Sequence, residues 1–339
     1  MPGLPISIEF DDLVFQLQRF GGISEYWREL TTRIDAMSEF AVCHRSGTRW
    51  ARMSRPRSPS RVFHSSYYRT ARGLKVSNVS TVHDLAYELG WVGSGLKARL
   101  HRLEHRRAYF SSDALVCISE NTRKDLLTVY PALAERCRIA VVPHGIPPLP
   151  DPAPPRLAPG QVFGDRRYVL FVGQRGSYKN FVGALSGFAE SGLQHQGFVL
   201  ACTGAALSED EQVTIAKLDL RGKVLSLGQV SRAELSYLYQ HAHCLVYPSR
   251  FEGFGLPILE AMTSGCPVVA ADNSAIPEVA GGAAWLVEGT DAAAIGKALV
   301  GLCEAQARSR YIARGHARAA QFSWQRSADG HAAIYRQLA

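Results

Sequence analysis

The chain has 339 residues, enough for two domains of ~150 residues with separate cores. Hydrophobic residues make up 46% and charged residues 20%, which excludes a disordered chain, and no apolar run approaches the ~20 residues of a membrane-spanning helix. Of 38 basic and 30 acidic residues, 21 and 15 fall in 1–155 and 17 and 15 follow, so the net charge of +8 is concentrated in the first half and suggests an anionic partner: nucleic acid, a membrane surface or a phosphorylated ligand.

The first residues, MPGLPISIEF, carry neither a basic region nor a long apolar one, so no secretory signal is expected. The pattern then predicts strands at 6–10, 40–44, 61–65, 79–83, 114–119 and 139–144, with helices near 22–38, 94–111 and 120–130. Residues 143–160 hold eight of the seventeen prolines, and proline fixes φ and removes a donor, so this stretch reads as an extended linker. Beyond it, strands are predicted at 168–173, 197–204, 223–228, 244–249, 267–271 and 283–287, with helices near 180–191, 208–219, 231–242 and 255–264. Strands alternating with helices predict doubly wound parallel sheets of α/β class. The expected domains are 1–150, a linker at 151–160, and 161–322. A last helix at 323–339 has Trp324, Ala328, His331, Tyr335 and Leu338 on one face and can pack on its own domain or back across the domain interface. The seven cysteines are scattered without a CxxC, which excludes a zinc ribbon, argues against a disulfide framework and predicts a reducing cytoplasm.

Several signatures are missing. There is no GxxxxGK[ST], GxGxxG, HExxH, GxSxG or DxD. The informative segment is 248–267, PSRFEGFGLPILEAMTSGCP. It follows a predicted strand with Glu252, two glycines and an amphipathic helix ending at Gly265. A strand, a glycine-rich turn and a helix leave free N–H groups at the helix start, which attract phosphate. Glu260 lies two turns into that helix, and its spacing alone suits a solvent-facing glutamate as well as a ligand. Arg175 and Lys179, four apart beyond a strand's carboxyl end, suit either a diphosphate clamp or a solvated pair.

The Glu252–Glu260 spacing resembles the E-x7-E motif of retaining glycosyltransferases of GT-B fold, in the family called glycosyl transferases group 1. Other segments are similar in the same order: RFGGISEYWREL (19–30), TVHDL (81–85), CISENTRKDL (117–126), VVPHGI (141–146), YVLFVGQRGSYKN (168–180) and SAIPEVAGGAAWLV (274–287). The resemblance covers nearly the whole chain. It implies two Rossmann-like domains facing a cleft, the first on the acceptor side and the second binding a nucleotide-sugar. It implies that Glu260 holds the ribose hydroxyls, that Glu252 meets the transferred sugar, and that the backbone at Phe254, Gly255 and Leu256 faces the donor phosphates. Arg175 and Lys179 would clamp the diphosphate. Gly21 and Gly22 would let backbone approach the donor, and His83 would reach the sugar, with Asp84 only orienting the loop. No nucleophile stands out, and the resemblance implies front-face displacement with retention, with no metal and no other cofactor. Gln174 and Gly176–Tyr178 depart from the commonest family form.

The start and the 168–180 segment together resemble bacterial mannosyltransferases of O-antigen and surface-polysaccharide synthesis, which implies GDP-mannose as donor and a glycan or polyprenyl-diphosphate-linked acceptor. A UDP-hexose or GDP-deoxyhexose is the alternative donor, a GT-B sugar-nucleotide epimerase or phosphorylase the alternative enzyme, and a nucleic-acid-binding protein the alternative class, although no nucleic-acid module is visible. Residues 45–75 carry Arg45, Arg49, Arg52, Arg55, Arg57, Arg61, Arg69, Arg72 and Lys75 without an acidic residue, interleaved with Trp50, Tyr67 and Tyr68. Lys97, Arg99, Arg102, Arg106 and Arg107 add to them. This face suits anionic lipid headgroups and a peripheral place on the inner side of the cytoplasmic membrane.

Overall fold

The computed structural model describes residues 4–18, 21–48, 50–51, 54–66, 68–155 and 167–339. Arg19, Phe20, Arg49, Arg52, Tyr67 and the linker and domain-start positions 156–166 lie outside the described residues. The chain divides into two compact units, one made of residues up to Pro147 together with Phe322–Ala339, the other of Pro148–Gln321.

The first unit contains β1 (Ile6–Asp11), α1 (Val14–Leu17), α2 (Gly22–Asp35), β2 (Phe40–Arg45), β3 (Val62–Ser65), β4 (Ser77–Val82), α3 (Gly95–Phe110), β5 (Ala114–Cys117), α4 (Glu120–Val129) and β6 (Arg138–Val141). All pairings in its sheet are parallel, in the order β2-β1-β3-β4-β5-β6. Strands β3 and β5 are buried at every position, which is why they read as short unbroken apolar or small-residue runs. The strand order reverses at β1, so the carboxyl ends of β1 and β3 flank the crevice where open α/β sheets receive ligands.

The second unit contains β7 (Tyr168–Phe171), α5 (Phe181–Ser191), β8 (Val199–Cys202), α6 (Glu209–Lys217), β9 (Val224–Ser226), α7 (Arg232–His241), β10 (Cys244–Tyr247), α8 (Leu256–Thr263), β11 (Val268–Ala271), α9 (Ile276–Ala280), β12 (Trp285–Val287), α10 (Ala292–Gly301) and α11 (Ala305–Ala319). Its parallel sheet runs β12-β11-β10-β7-β8-β9, so its switch point lies between β7 and β10. The proline-rich stretch is not a free spacer throughout: Ala153 N–H donates to Ala233 O at 3.0 Å, tying it to α7 of this unit.

The final helix, α12 (Trp324–Leu338), completes the first unit. Its buried face, Trp324, Ala328, Ala332 and Tyr335, joins Ile8, Phe10, Tyr26, Trp27 and Leu30 in one core. Ser77 Oγ donates to Leu338 O at 3.1 Å, and Arg336 pairs with Glu39 at 2.6 Å. Removing an aromatic such as Tyr335 from this core costs about 3–5 kcal/mol. The sequence reading leaves out the short helices α1 and α9 and the longer α10 and α11. All seven cysteines are free thiols. Among the described residues no helix is long and apolar enough to cross a membrane.

Candidate active site at the switch point of the second unit

Two loops meet where β7 and β10 end. The β7 loop closes with a single 3₁₀ turn, Ser177–Lys179, followed by Asn180 in the left-handed region at φ 56°. Asn180 Nδ2 donates to Pro248 O at 3.1 Å and Gly289 O at 2.7 Å, and its Oδ1 accepts from Gly183 N–H at 3.2 Å, capping α5. Arg250 N–H donates to Tyr178 O at 2.7 Å. These bonds fix the β7 loop against the β10 loop and set Lys179 beside Glu252.

Lys179 Nζ lies 2.6 Å from Glu252 Oε1 and 3.4 Å from Tyr247 Oη. Tyr247 Oη also donates to Glu252 Oε1, at 2.7 Å. Burial and the Glu252 charge push the Tyr247 phenol well above its ordinary pKa, so it stays a donor. Glu252 is only 8% exposed, and its backbone N–H donates to Ser274 Oγ at 2.9 Å. Both protein donors sit on Oε1. Oε2 has no hydrogen bond from the described residues and can accept from a hydroxyl.

Glu260 is equally buried, on α8, which settles the choice left by spacing against a solvent-facing side chain. Arg232 Nη1 donates to its Oε1 at 2.7 Å and Tyr239 Oη to its Oε2 at 3.1 Å. Each oxygen has a second lone pair, so the carboxylate still offers two acceptor positions. Helix α8 starts at Gly255, φ 106°, with no side-chain cap and Pro257 in its first turn. A Cβ at Gly255 would be strained by that φ and lie 3.3 Å from Ile258 Cδ1. Phe254 is buried beneath the turn and Leu256 is the first helical residue. The N-terminal amides and helix dipole therefore form a region that favours negative charge.

Arg175 has a different set of partners from Lys179. Its Nε donates to Glu211 Oε1 at 2.9 Å, its Nη1 to Thr203 O at 2.9 Å, and its Nη2 to Ala206 O at 2.8 Å and to Ala205 O. Nη1 also reaches Cys202 Sγ at 3.9 Å. The guanidinium thus fastens the 203–206 loop to the start of α6, where Ser208 and Glu211 form a capping box. In this arrangement the fork is satisfied by these carbonyls and by Glu211.

In the first unit, Gly21 caps α2 at φ 148°, and a Cβ on Gly22 would meet nothing within 4 Å. Asp84 Oδ1 accepts from Ala86 N–H at 2.9 Å, an Asx turn that shapes the loop after β4. His83 packs edge-on to Tyr26 at 4.9 Å and lies 5.7 Å from His144. Tyr26 Oη contacts Thr81 Oγ1 at 2.9 Å and His331 Nε2 at 2.8 Å, while His64 bridges Thr81 and Tyr335 at 2.9 and 2.6 Å. Burial holds all four histidines below their ordinary pKa, His83 at about 3 and His331 at about 4, with His64 and His144 well below 6.5. His83 is therefore a neutral imidazole, a hydrogen-bonding group rather than a cation.

This cluster sets a pH dependence of stability. The unfolded chain protonates its histidines below about 6.5, and the folded unit does not, so the unfolded state binds more protons between about pH 6.5 and 4. Asp11 works in the opposite sense: burial raises its carboxyl to about 6, although Arg69 and Ser65 favour the charge, so it takes a proton in the folded state first. Four histidines outweigh one aspartate. Stability is expected to be full above pH 6.5 and to fall by a few kcal/mol per pH unit near pH 5. Melting temperatures recorded from pH 7 to 5 check this, and a constant value across that range would contradict it.

Arg232, Tyr239, Tyr247, Asn180 and Ser274 were not singled out from the sequence. Arg232 and Tyr239 lie seven apart on α7, hence on one face, and the Ser231–Glu234 capping box marks where that face begins. A recess of about 680 Å³ between α6 and β9 shares no lining residue with the site.

Residues 158–318 match the family Glycosyl transferases group 1, and residues 48–148 match Glycosyltransferase Family 4. The chain is 32% identical over 222 residues to O-antigen chain mannosyltransferase B of Escherichia coli, covering 63% of this chain and 58% of that one. It is 36% identical over 115 residues to O-antigen chain mannosyltransferase RfbU of Salmonella typhimurium, covering 33% and 31%. The matches thus span less than two thirds of these relatives' length. Among solved structures, sucrose-phosphate synthase from Thermosynechococcus elongatus superposes with a TM-score of 0.74 at 18% identity over 98% of this chain and 99% of that one. WaaG, a glycosyltransferase involved in lipopolysaccharide biosynthesis, gives 0.70 at 16% over 97% and 99%. At such identities the likeness is one of fold.

Proposed function

The chain belongs to the glycosyltransferases of the group 1 family, with the GT-B fold and a family 4 domain ahead of the group 1 domain, and from that premise we propose that it transfers a hexose from a nucleotide-diphosphate sugar to a glycan or lipid-linked acceptor with retention of configuration. The observation that carries the reading is the contact of Lys179 with Glu252 at the β7/β10 switch point, beside the start of α8. A diphosphate leaving group gains negative charge as the glycosidic bond breaks. Lys179 Nζ and the α8 amides supply the compensating charge, and in a water-poor site each such contact is worth about 3–4 kcal/mol at the transition state. Glu252 Oε2 accepts from a hydroxyl of the sugar and so orients its reacting carbon. Glu260, steered by Arg232 and Tyr239, accepts from the ribose hydroxyls. No group is assigned as nucleophile: the leaving phosphate helps remove the acceptor's proton, and attack comes from the face it leaves.

Mannose, carried as GDP-mannose, is the favoured sugar, because both O-antigen relatives are mannosyltransferases. A UDP-hexose or GDP-deoxyhexose is the alternative. Thermal stabilisation by GDP, UDP, ADP and their sugars tests this: GDP and GDP-mannose should raise the melting temperature most, and a rise with UDP compounds alone would move the assignment to UDP-hexose. Lys179 and the amides make a divalent ion dispensable in this reading, so transfer should survive excess EDTA. Loss restored by Mg²⁺ or Mn²⁺ would overturn that part.

A peripheral position on the inner face of the cytoplasmic membrane belongs to the same proposal. On α3, Leu96, Leu100 and Leu103 are 72%, 44% and 59% exposed at helical spacing, flanked by exposed Lys97, Arg99 and Arg106. The 45–75 segment contributes less than its charge count suggests, since Arg69 is buried and Arg45 is paired with Glu9. Binding to anionic vesicles at low salt, lost in Leu100→Asp/Leu103→Asp, is the expected result. Equal binding to neutral and anionic vesicles would remove the electrostatic component.

A further inference from the structure

The first unit contains two buried guanidinium nitrogens without an acceptor. Arg69, beyond the end of β3 and 4% exposed, gives Nη1 to Asp11 Oδ1 at 2.9 Å and Nη2 to Ser54 Oγ at 3.4 Å. Its Nε is buried with no acceptor. The same is true of Arg55 Nε. Burial, together with the charges of Arg72 and Arg107, pushes the Arg55 guanidinium below its ordinary pKa. The backbone holds these cations together: Arg72 N–H donates to Pro56 O at 2.7 Å and Ser58 N–H to Arg72 O at 3.0 Å. Arg55, Arg69 and Arg107 line one recess with Ser54, Thr70 and Glu104. Asp11, the carboxylate beside Arg69, is already committed to it. A buried N–H without an acceptor costs about 1–3 kcal/mol, more when charged, and two of them converge here.

The space the recess offers to a water-sized atom is about 20 Å³, room for one atom such as a single phosphate oxygen. Arg69 and Asp11 stand at the carboxyl ends of β3 and β1, the switch point of this sheet. Arg107 lies on the face of α3 that carries Leu96, Leu100 and Leu103. We infer that this recess is an oxyanion site that binds a phosphate group, with Arg55 Nε and Arg69 Nε donating to its oxygens and Arg107 closing on it. Free phosphate, an acceptor's phosphate and a lipid headgroup all present that chemistry. The site goes beyond the transfer proposed above and needs no donor to be detected.

Calorimetric titration of the full chain with inorganic pyrophosphate tests it, in the parent, in Arg55→Ala/Arg107→Ala and in Lys179→Ala. The double variant leaves the Asp11–Arg69 pair intact, and its melting curve checks that it is folded. Arg55→Lys/Arg107→Lys keeps the charge without the fork and should fall between. The expected result is two binding events in the parent, one at the donor site that is lost in Lys179→Ala and one at the recess that persists in Lys179→Ala and is weakened at least about tenfold in the double alanine variant. No binding by the parent, parent-like binding by the double alanine variant, or loss confined to Lys179→Ala would overturn the site. Co-sedimentation with phosphatidylcholine vesicles containing phosphatidylglycerol separates the sources. Loss of both the recess pyrophosphate event and vesicle binding in the double variant identifies a headgroup, and loss of that pyrophosphate event alone a free or acceptor-borne phosphate.

Discussion

Lys179→Ala is expected to lower turnover about 100–1000-fold in a protein that melts close to its parent, whereas Arg175→Ala is expected to lose stability first. Lys179 meets Glu252 and Tyr247 and is 18% exposed, so its loss leaves Glu252 with the Tyr247 donor and access to water. Arg175 is different. Its side chain is 5% exposed, and its removal strands Glu211 and the carbonyls of Thr203, Ala205 and Ala206. Breaking a buried ion pair costs about 3–5 kcal/mol, and in a unit of this size that lowers the melting temperature by roughly 10 °C. Arg175→Lys keeps the charge but cannot reach three carbonyls and a carboxylate together, so it should fall between. A combined melting and nucleoside-diphosphate titration reads both. An Arg175→Ala protein with parental melting and no nucleotide affinity would support the clamp expected from the sequence.

Glu252→Ala and Glu260→Ala should also fail differently. Glu260 is held by Arg232 and Tyr239, and its proposed partner, the ribose, is present in the nucleotide alone. Glu260→Ala should therefore weaken nucleoside diphosphate binding about 100-fold, the worth of two hydrogen bonds to a charged acceptor. Glu252→Ala should bind the free nucleotide almost as the parent does, since its proposed partner is the sugar, while turnover falls about 100–1000-fold. Glu260→Gln separates charge from shape: the neutral amide leaves Arg232 without its counter-ion and should recover little. Equal loss of nucleotide affinity in both alanine variants would show that the two carboxylates do not divide the donor between them.

Much of this was legible in the sequence, and the limits have physical causes. All twelve strands were readable because each is a short run rich in apolar and β-branched residues bounded by turn residues. The helix from 255 was marked by Gly255, Pro257 and Gly265. Helix α10, AAAIGKALVG, escaped because it is small and apolar nearly all round: a Cβ on Gly187 of α5 would lie 2.3 Å from Ile295 Cγ2, so the two helices pack at glycines and show no amphipathic stripe. Helix α11 spreads arginines around its axis and hides its narrow buried line of Ala307, Gly315 and Ala319. At the candidate site, Glu252, Lys179 and Glu260 were singled out from the sequence, and the structure places Lys179 against Glu252 and buries Glu260. Arg232, Tyr239 and Tyr247 were not, because their role depends on α7 and β10 lying beside α8, which no local pattern encodes. The partners of Arg175 were not legible for the same reason, since its acceptors are carbonyls some thirty residues away.

The central claim is retaining transfer from a nucleotide-diphosphate sugar, and slow hydrolysis of the donor tests it without knowledge of the acceptor. Proton NMR of the full chain with α-linked GDP-mannose, with UDP- and ADP-hexoses alongside, follows the first sugar released before it mutarotates. The α-anomer appearing first, with release lost in Lys179→Ala, is the predicted result. The β-anomer appearing first, or no sugar released from any donor by a protein that binds none of them, would contradict it.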